Sequence, residues 1–293
     1  MSMRPLVTIG IPFLNPGVLL KEAIQSVFCQ TLTDWELILV NDGSNDESVA
    51  IAQTVRDPRV RLINDGKTLG LVARLNQLGT LARGEYMARM DADDIMHPFR
   101  LEKQIRFLQL NRDISVVDTG AFVINQAREP IGIKGSQDKR PSMYEALKWG
   151  VILHPTVIAR TSWYMQHPYD PAYPRAEDRE LFVRVLDSVK IAHLPEPLLF
   201  YLFVGNVRLQ AFFQSYSSER KVLLRYGPKL IGYSNTIKLW FRSHIKSAAL
   251  PLLCSFNRQD FVTRLAYKPI DAEQAQKARE VLQYIRQTDV PGW

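Results

Sequence analysis

Asp91-Ala92-Asp93-Asp94 puts three carboxylates into four positions. Acids this close repel one another unless something cationic lies among them. A divalent metal with hard oxygen ligands, itself bound to phosphate oxygens, meets that demand. The other reading is an acidic turn, in which Asp94 or His97-Pro98 opens the following helix. A second acidic pair, Glu177-Asp178, starts a helical pattern. It is either a pair of favourable first-turn acids or the source of a general base. Asp42, in Asn41-Asp42-Gly43-Ser44-Asn45-Asp46, can hydrogen-bond a ribose or a base N–H, or serve as a turn residue.

These acids need elements to place them. Leu6 to Phe13, Trp35 to Val40, Val60 to Ile63 and the stretch around Tyr86 read as strands. The helical patterns between them run through Leu20 to Phe28, Ser48 to Val55 and Leu71 to Ala82. Continuous apolar strands alternating with helices predict an α/β fold, a Rossmann-like, mostly parallel sheet flanked by helices. Ligands of such sheets sit beyond the carboxyl ends of the strands. Pro12 to Asn15, Asn41 to Asp46 and Asp91 to Asp94 all leave strands at that end, so they are expected to face one crevice. No GxGxxG or GxxxxGK[ST] is present, which disfavours dinucleotide oxidoreductases and P-loop enzymes.

In this order the motifs resemble those of family 2 glycosyltransferases. The run is Pro12-Phe13-Leu14-Asn15, Val40 to Asp46, Ala73-Arg74-Leu75-Asn76 with Arg83-Gly84-Glu85-Tyr86, Asp91 to Asp94, and Glu177-Asp178 opening a helix. The resemblance covers roughly residues 5 to 205 and implies a GT-A fold, inversion at the anomeric carbon and a nucleotide-diphosphate sugar donor. It implies that Pro12, Phe13, Asn15 and Ala92 line the nucleotide pocket, that Asp42 binds base or ribose, and that Arg74 contacts the nucleotide. Arg74 is otherwise a solvated helix arginine. Asp91 resembles the acid near ribose and metal-bound water, and Asp93 the direct ligand of Mn2+ or Mg2+, with Asp94 able to share that task. Asp178 is the expected base and Glu177 the residue positioning acceptor or donor sugar. His154 and Trp149 are acceptor-site candidates, or else a hydrogen-bonded structural histidine and a core aromatic. One departure stands out. Where many relatives carry a Tyr-Arg-x-His run, this chain has Tyr201-Leu202-Phe203-Val204, so either the metal site keeps an extra water, or His193 or Arg208 substitutes from nearby, or catalysis is weakened or lost.

The chain has 293 residues, 46% hydrophobic and 23% charged, as an ordinary globular protein does. Cys29 and Cys254 form no disulfide or zinc pattern, which favours a reducing compartment. Residues 206–269 carry eleven Lys and Arg against Glu219 and Asp260, a local +9 within the overall +7. Two parts are expected, a catalytic domain over 1–205 and a basic helical region over 206–293. Lys238, Arg242 and Lys246 make a basic stripe, and Ile237, Trp240, Phe241, Ile245, Ala248 and Leu252 an apolar one. Residues 235–254 therefore read as a membrane-surface helix or as a helix covering the core. Arg4 and Pro5 precede a strand rather than a signal-peptide core, and no apolar run approaches a membrane span. A cytoplasmic enzyme is expected, on the inner face of a bacterial plasma membrane. It would use a UDP-sugar to glycosylate a lipid-linked or polysaccharide acceptor in cell-surface glycan synthesis. The rivals are an inactive nucleotide-sugar scaffold and a sugar nucleotidyltransferase. Nucleic acid is not an expected partner.

Overall fold

The computed structural model describes residues 4–137, 141–203, 209–255 and 267–293. Its centre is a nine-stranded sheet. The N-terminal half is built from β1 (Val7–Phe13), β2 (Trp35–Asn41), β3 (Val60–Ile63) and β4 (Tyr86–Arg89), crossed by α1 (Leu19–Phe28), α2 (Ser48–Thr54) and α3 (Leu71–Leu81). Every residue of β1 and β2 is buried. These strands read as unbroken apolar runs because helices cover both faces, and each fully buried Val, Leu or Ile contributes about 1.5–3 kcal/mol. β1 pairs in parallel with β2 on one side and β4 on the other, and β2 with β3. The expected parallel order therefore holds from β3 to β4.

Beyond β4 the sheet turns mixed. The remaining elements are β5 (Ile95–Met96), α4 (Arg100–Leu110), β6 (Val116–Ile124), β7 (Pro130–Lys134), α5 (Met143–Trp149), β8 (Ile158–Arg160), α6 (Thr161–Gln166), α7 (Glu177–Val185) and β9 (Ile191–Leu202). The spatial order is β3-β2-β1-β4-β8-β6-β9-β5, with β7 also on β6. β8 runs antiparallel to both β4 and β6, so it joins the parallel half to a β6–β9 extension.

Two helical pieces follow. α8 (Leu209–Ser255) is broken at Gly232, whose φ of 78° no helix accommodates and which glycine adopts without strain. Its two arms fold back side by side: Arg220 reaches Ser247 Oγ at 3.0 Å, and Val222 and Leu223 cluster with Leu239, Leu147 and Val183. The second arm buries Thr236, Leu239, Ser243 and Leu250. The apolar stripe does not cover the core: Ile237, Phe241 and Ile245 are 53%, 57% and 68% exposed, while Arg242 and Lys246 are half-buried. The side chains of Leu252 and Cys254 lie outside the described residues. α9 (Ala272–Arg286) returns to the N-terminal half, burying Ala278, Leu282 and Ile285 against Cys29, Ile95 and Phe200. Trp293 Nε1 then donates to Thr54 at 2.7 Å. Among the described residues no helix is long and apolar enough to cross a membrane.

Candidate active site

β4 ends where the acids begin. Side chains alternate along an extended strand, so Arg89 and Asp91 share a face. The Arg89 guanidinium grips Asp91 with both terminal nitrogens, at 2.9 and 2.6 Å. Arg89 is 3% exposed and its Nε has no partner among the described residues. Burial works most strongly against its charge, but Asp91, Tyr169, Glu177 and Asp94 together more than offset it. The sequence reading treated this strand as apolar and missed that cation, although its spacing from Asp91 was visible.

The three acids do not share one task. Asp94 is buried, and its Oδ1 accepts the Leu202 N–H at 2.9 Å, tying the acidic turn to the end of β9. Burial, then Asp91 and Asp93, hold its carboxyl well above the usual range, and its Oδ2 has no partner among the described residues. Asp93 is raised as well, by burial and then by Asp91. Among the described residues, no three His, Cys, Asp or Glu side chains form a group able to hold a metal. Of the three expected ligands, Asp91 is gripped by Arg89 and Asp94 accepts the Leu202 N–H. One or two carboxylates completed by water and substrate phosphates is the arrangement Mg2+ usually takes, so the residues fit a phosphate-completed site rather than a closed cage.

The loops leaving β1 and β2 are tightly knit. Pro12, Phe13 and Ala92 are buried, and the Phe13 carbonyl accepts the Asp42 N–H at 2.9 Å. Asn15, at a left-handed φ of 52°, ties two strand-exit loops together, since its Oδ1 accepts from Asn45 N and its own N–H donates to Ser44. Asp42 and Arg74 are bonded to each other and to the loop between them. Asp42 accepts the backbone N–H groups of Leu69 and Gly70 and Arg74 Nε at 2.9 Å. The remaining Arg74 nitrogens hold Asp65, Gln77 and the Lys67 carbonyl. Arg74 is wholly buried, neither a solvated helix arginine nor a side chain with a donor left for a nucleotide. The pair fastens the 65–70 loop over the crevice.

Glu177 and Asp178 open α7 after Ala176, whose φ of 57° and ψ of 31° are left-handed. A non-glycine residue there is strained by roughly 1–2 kcal/mol, a kind of strain that gathers at functional sites. Asp178 Oδ1 accepts the Arg179 N–H at 2.7 Å. Glu177 is 7% exposed; burial, then Asp178, push its carboxyl up to about 7. His154 Nε2 bonds the Tyr169 hydroxyl at 2.8 Å, and its Nδ1 lies 3.8 Å from Glu177. Burial, then Arg89, push this imidazole well down, so it is neutral. Trp163, Tyr164, Tyr169 and Tyr173 are core residues, whereas Trp149 is 60% exposed.

The raised Glu177 pKa sets a stability prediction. The folded chain binds that proton more tightly than the unfolded chain, so its contribution is present below about 4.5 and lost as pH rises through about 7. Glu177→Gln should therefore be more stable than wild type at pH 8, by about 3 kcal/mol, and indistinguishable at pH 4. Urea unfolding at the two pH values measures it; equal gains at both would remove the proton linkage.

The departure at Leu202 is real: the side chain is buried and its backbone holds Asp94, while Val204 and Arg208 lie outside the described residues. His193 does not substitute, being bonded to Asp118 at 3.0 Å and the Gly135 carbonyl at 2.7 Å. Lys134 comes closer. Its ammonium lies 4.4 Å from the centre of the Tyr201 ring, and Asp94 partly counters the burial that lowers its pKa. Nothing in the local sequence of β7 marked it.

A mixed, helix-flanked sheet with an acidic turn beyond β4 and an acidic helix start facing it is the GT-A fold of sugar-transferring enzymes. The sequence model of Glycosyl transferase family 2 matches residues 8–166, more than half of the chain, and the chain belongs to that family. It is 31% identical over 222 residues to an uncharacterized glycosyltransferase of Haemophilus influenzae, covering 70% of this chain and 68% of that one. S. aureus TarS 1–349 in complex with UDP-GlcNAc superposes with a TM-score of 0.62 at 16% identity, over 97% of this chain and 81% of that one. The mannosyltransferase PcManGT of Pyrobaculum calidifontis, in complex with GDP-Man and Mn2+, gives 0.57 at 14% identity, over 97% and 86%. At such identities the structural likeness speaks for the fold.

Proposed function

We propose that this glycosyltransferase is metal-dependent and inverting, and that it moves a sugar from a UDP-sugar to a hydroxyl of a lipid-linked or polysaccharide acceptor. The observation that carries the reading is the facing of two acidic stations, Asp91–Asp93 at the end of β4 and Glu177–Asp178 at the start of α7, with Arg89 between them. Asp93 would hold Mn2+ or Mg2+, which supplies charge stabilisation for the departing diphosphate. Asp91, oriented by Arg89, faces the ribose. Asp178, at the α7 N-terminus where aligned N–H groups favour an anion, takes the acceptor proton. Glu177, protonated about half the time near pH 7, donates a hydrogen bond that orients acceptor or donor sugar. Attack from the face opposite the leaving group inverts the anomeric centre. Arg89 and Lys134 supply positive charge in place of the Arg and His that Leu202 and Val204 replace.

In this reading residues 1–205 form the catalytic domain and 206–293 a helical region that meets the inner face of the plasma membrane. The apolar face of the second α8 arm supports the latter: Tyr233, Ile237, Phe241 and Ile245 are exposed along one side, with Lys238 at its edge.

Thermal unfolding with UDP-, GDP-, CDP- and dTDP-sugars, each with and without Mn2+, tests the donor site. A ligand at about 100 times its dissociation constant adds roughly 2.7 kcal/mol. A UDP-sugar should raise the transition only with metal, and Asp93→Ala should abolish the rise. No shift with any nucleotide would overturn the reading; a shift that survives Asp93→Ala would overturn the metal ligand.

A further inference from the structure

Trp149 stands out once the other aromatics are in the core. Its exposed indole is ringed by cations: Arg242 Cζ lies 4.4 Å from the ring centre, Lys148 Nζ 4.9 Å and Lys246 Nζ 5.1 Å. Two of these come from the second arm of α8 and one from α5, so tertiary packing rather than local sequence gathers them. Arg179 of α7 adds a fourth on the same small cleft. Glu219 is the acid facing them, and it already pairs with Arg179 at 3.1 Å. Lys246 feels the crowding: burial, then Arg242, make its charge harder to hold. Like charges brought together beside an aromatic face, with their nearest acid engaged, form a site that an anion completes.

The place of this cluster says which anion. Gly150 to His154 run from Trp149 to the histidine beside Glu177, and five residues span at most about 18 Å. Arg179, on the same cleft, directly follows Asp178 in the first turn of α7, so a phosphate held at the cluster lies beside the start of the helix that carries the acidic pair. We infer that Lys148, Arg242 and Lys246 around Trp149 bind the phosphate of the acceptor, which is a phosphate-linked glycan rather than a neutral sugar chain. This rests on the glycosyl-transfer reading above.

The test titrates inorganic pyrophosphate into the full chain in the presence of EDTA, followed by calorimetry and by tryptophan fluorescence, with geranyl diphosphate as the lipid-borne arm. EDTA silences the metal-dependent donor site, and excess UDP serves as a competitor. Binding should persist with UDP present, weaken with salt, and fall about tenfold or more in Arg242→Gln/Lys246→Gln. Trp149→Phe should erase the fluorescence response. Tighter binding of geranyl diphosphate assigns the phosphate to a lipid carrier, and equal binding to a soluble phosphate-linked glycan. Wild type that ignores both anions, or a double variant that binds them equally, overturns the inference. Should the double variant fold poorly, Lys148→Gln, which leaves α8 untouched, must show the same direction of loss. Wild type that binds pyrophosphate but shows no nucleotide-sugar shift with Mn2+ keeps this site and rejects the donor reading instead.

Discussion

Asp178→Asn should lower turnover roughly 10²–10⁴-fold and leave nucleotide-sugar binding intact, the range expected when a positioned general base is removed. The amide keeps the size of the side chain and can still accept the Arg179 N–H that Asp178 accepts at 2.7 Å, so α7 should start as before. What it cannot do is take a proton. Release of UDP from a UDP-sugar, with water or an acceptor as nucleophile, reads kcat, and the thermal shift with Mn2+ reads binding separately. Glu177→Gln is the companion. Its carboxyl, raised to about 7, is protonated about half the time near neutrality, so the amide should preserve part of the activity by imitating the protonated form. If Asp178→Asn stays active while Glu177→Gln is dead, the two exchange roles and Glu177 is the base.

Arg74→Ala should destabilise the fold by about 3–5 kcal/mol, the usual result of removing one partner of a buried pair. Arg74 is wholly buried and its Nε lies 2.9 Å from Asp42, itself 5% exposed. Truncation leaves the Asp42 carboxylate without its cation and frees the 65–70 loop. Such a loss is a large share of a typical 5–15 kcal/mol total and lowers the midpoint by roughly ten degrees. Urea or thermal unfolding without ligand checks it. If Arg74→Ala unfolds within about 1 kcal/mol of wild type yet no longer binds nucleotide, the arginine is a nucleotide contact after all and the internal network is incidental.

The contrast between Arg74 and Arg89 marks what the sequence could tell. The motif order placed Arg74 beside the crevice, but whether its guanidinium faces a ligand or the protein depends on Asp65, Gln77 and Lys67, which only the folded loop brings together. Arg89 was legible, two residues before Asp91 on a strand of period two, and went unread because the strand looked apolar. Strands β1 to β4 stood out because each is a continuous apolar run ending in polar residues. β5 and β8, of two and three residues, are too short to show any period, so the antiparallel half of the sheet stayed hidden.

Helices show the same division. The inner side of α9 was readable from the spacing of Ala275, Ala278, Leu282 and Ile285, but its partner was not. In the second arm of α8 the amphipathic pattern allowed an apolar face turned either to the core or outward, and packing against the first arm decides it. Leu239 and Leu250 point inward with Thr236 and Ser243, and the arms approach so closely that a methyl on Gly227 would meet Thr236 Oγ1 at 2.6 Å.

The return of α9 to α1 orders the life of the protein as well as its shape. A ribosome completes the apolar patch of Cys29, Ile95 and Phe200 about 80 residues before it makes Leu282 and Ile285, which cover it. At 5–20 residues per second, that patch waits on the order of five to fifteen seconds for its cover. The N-terminal half therefore emerges early but incomplete, with an apolar surface open until α9 arrives.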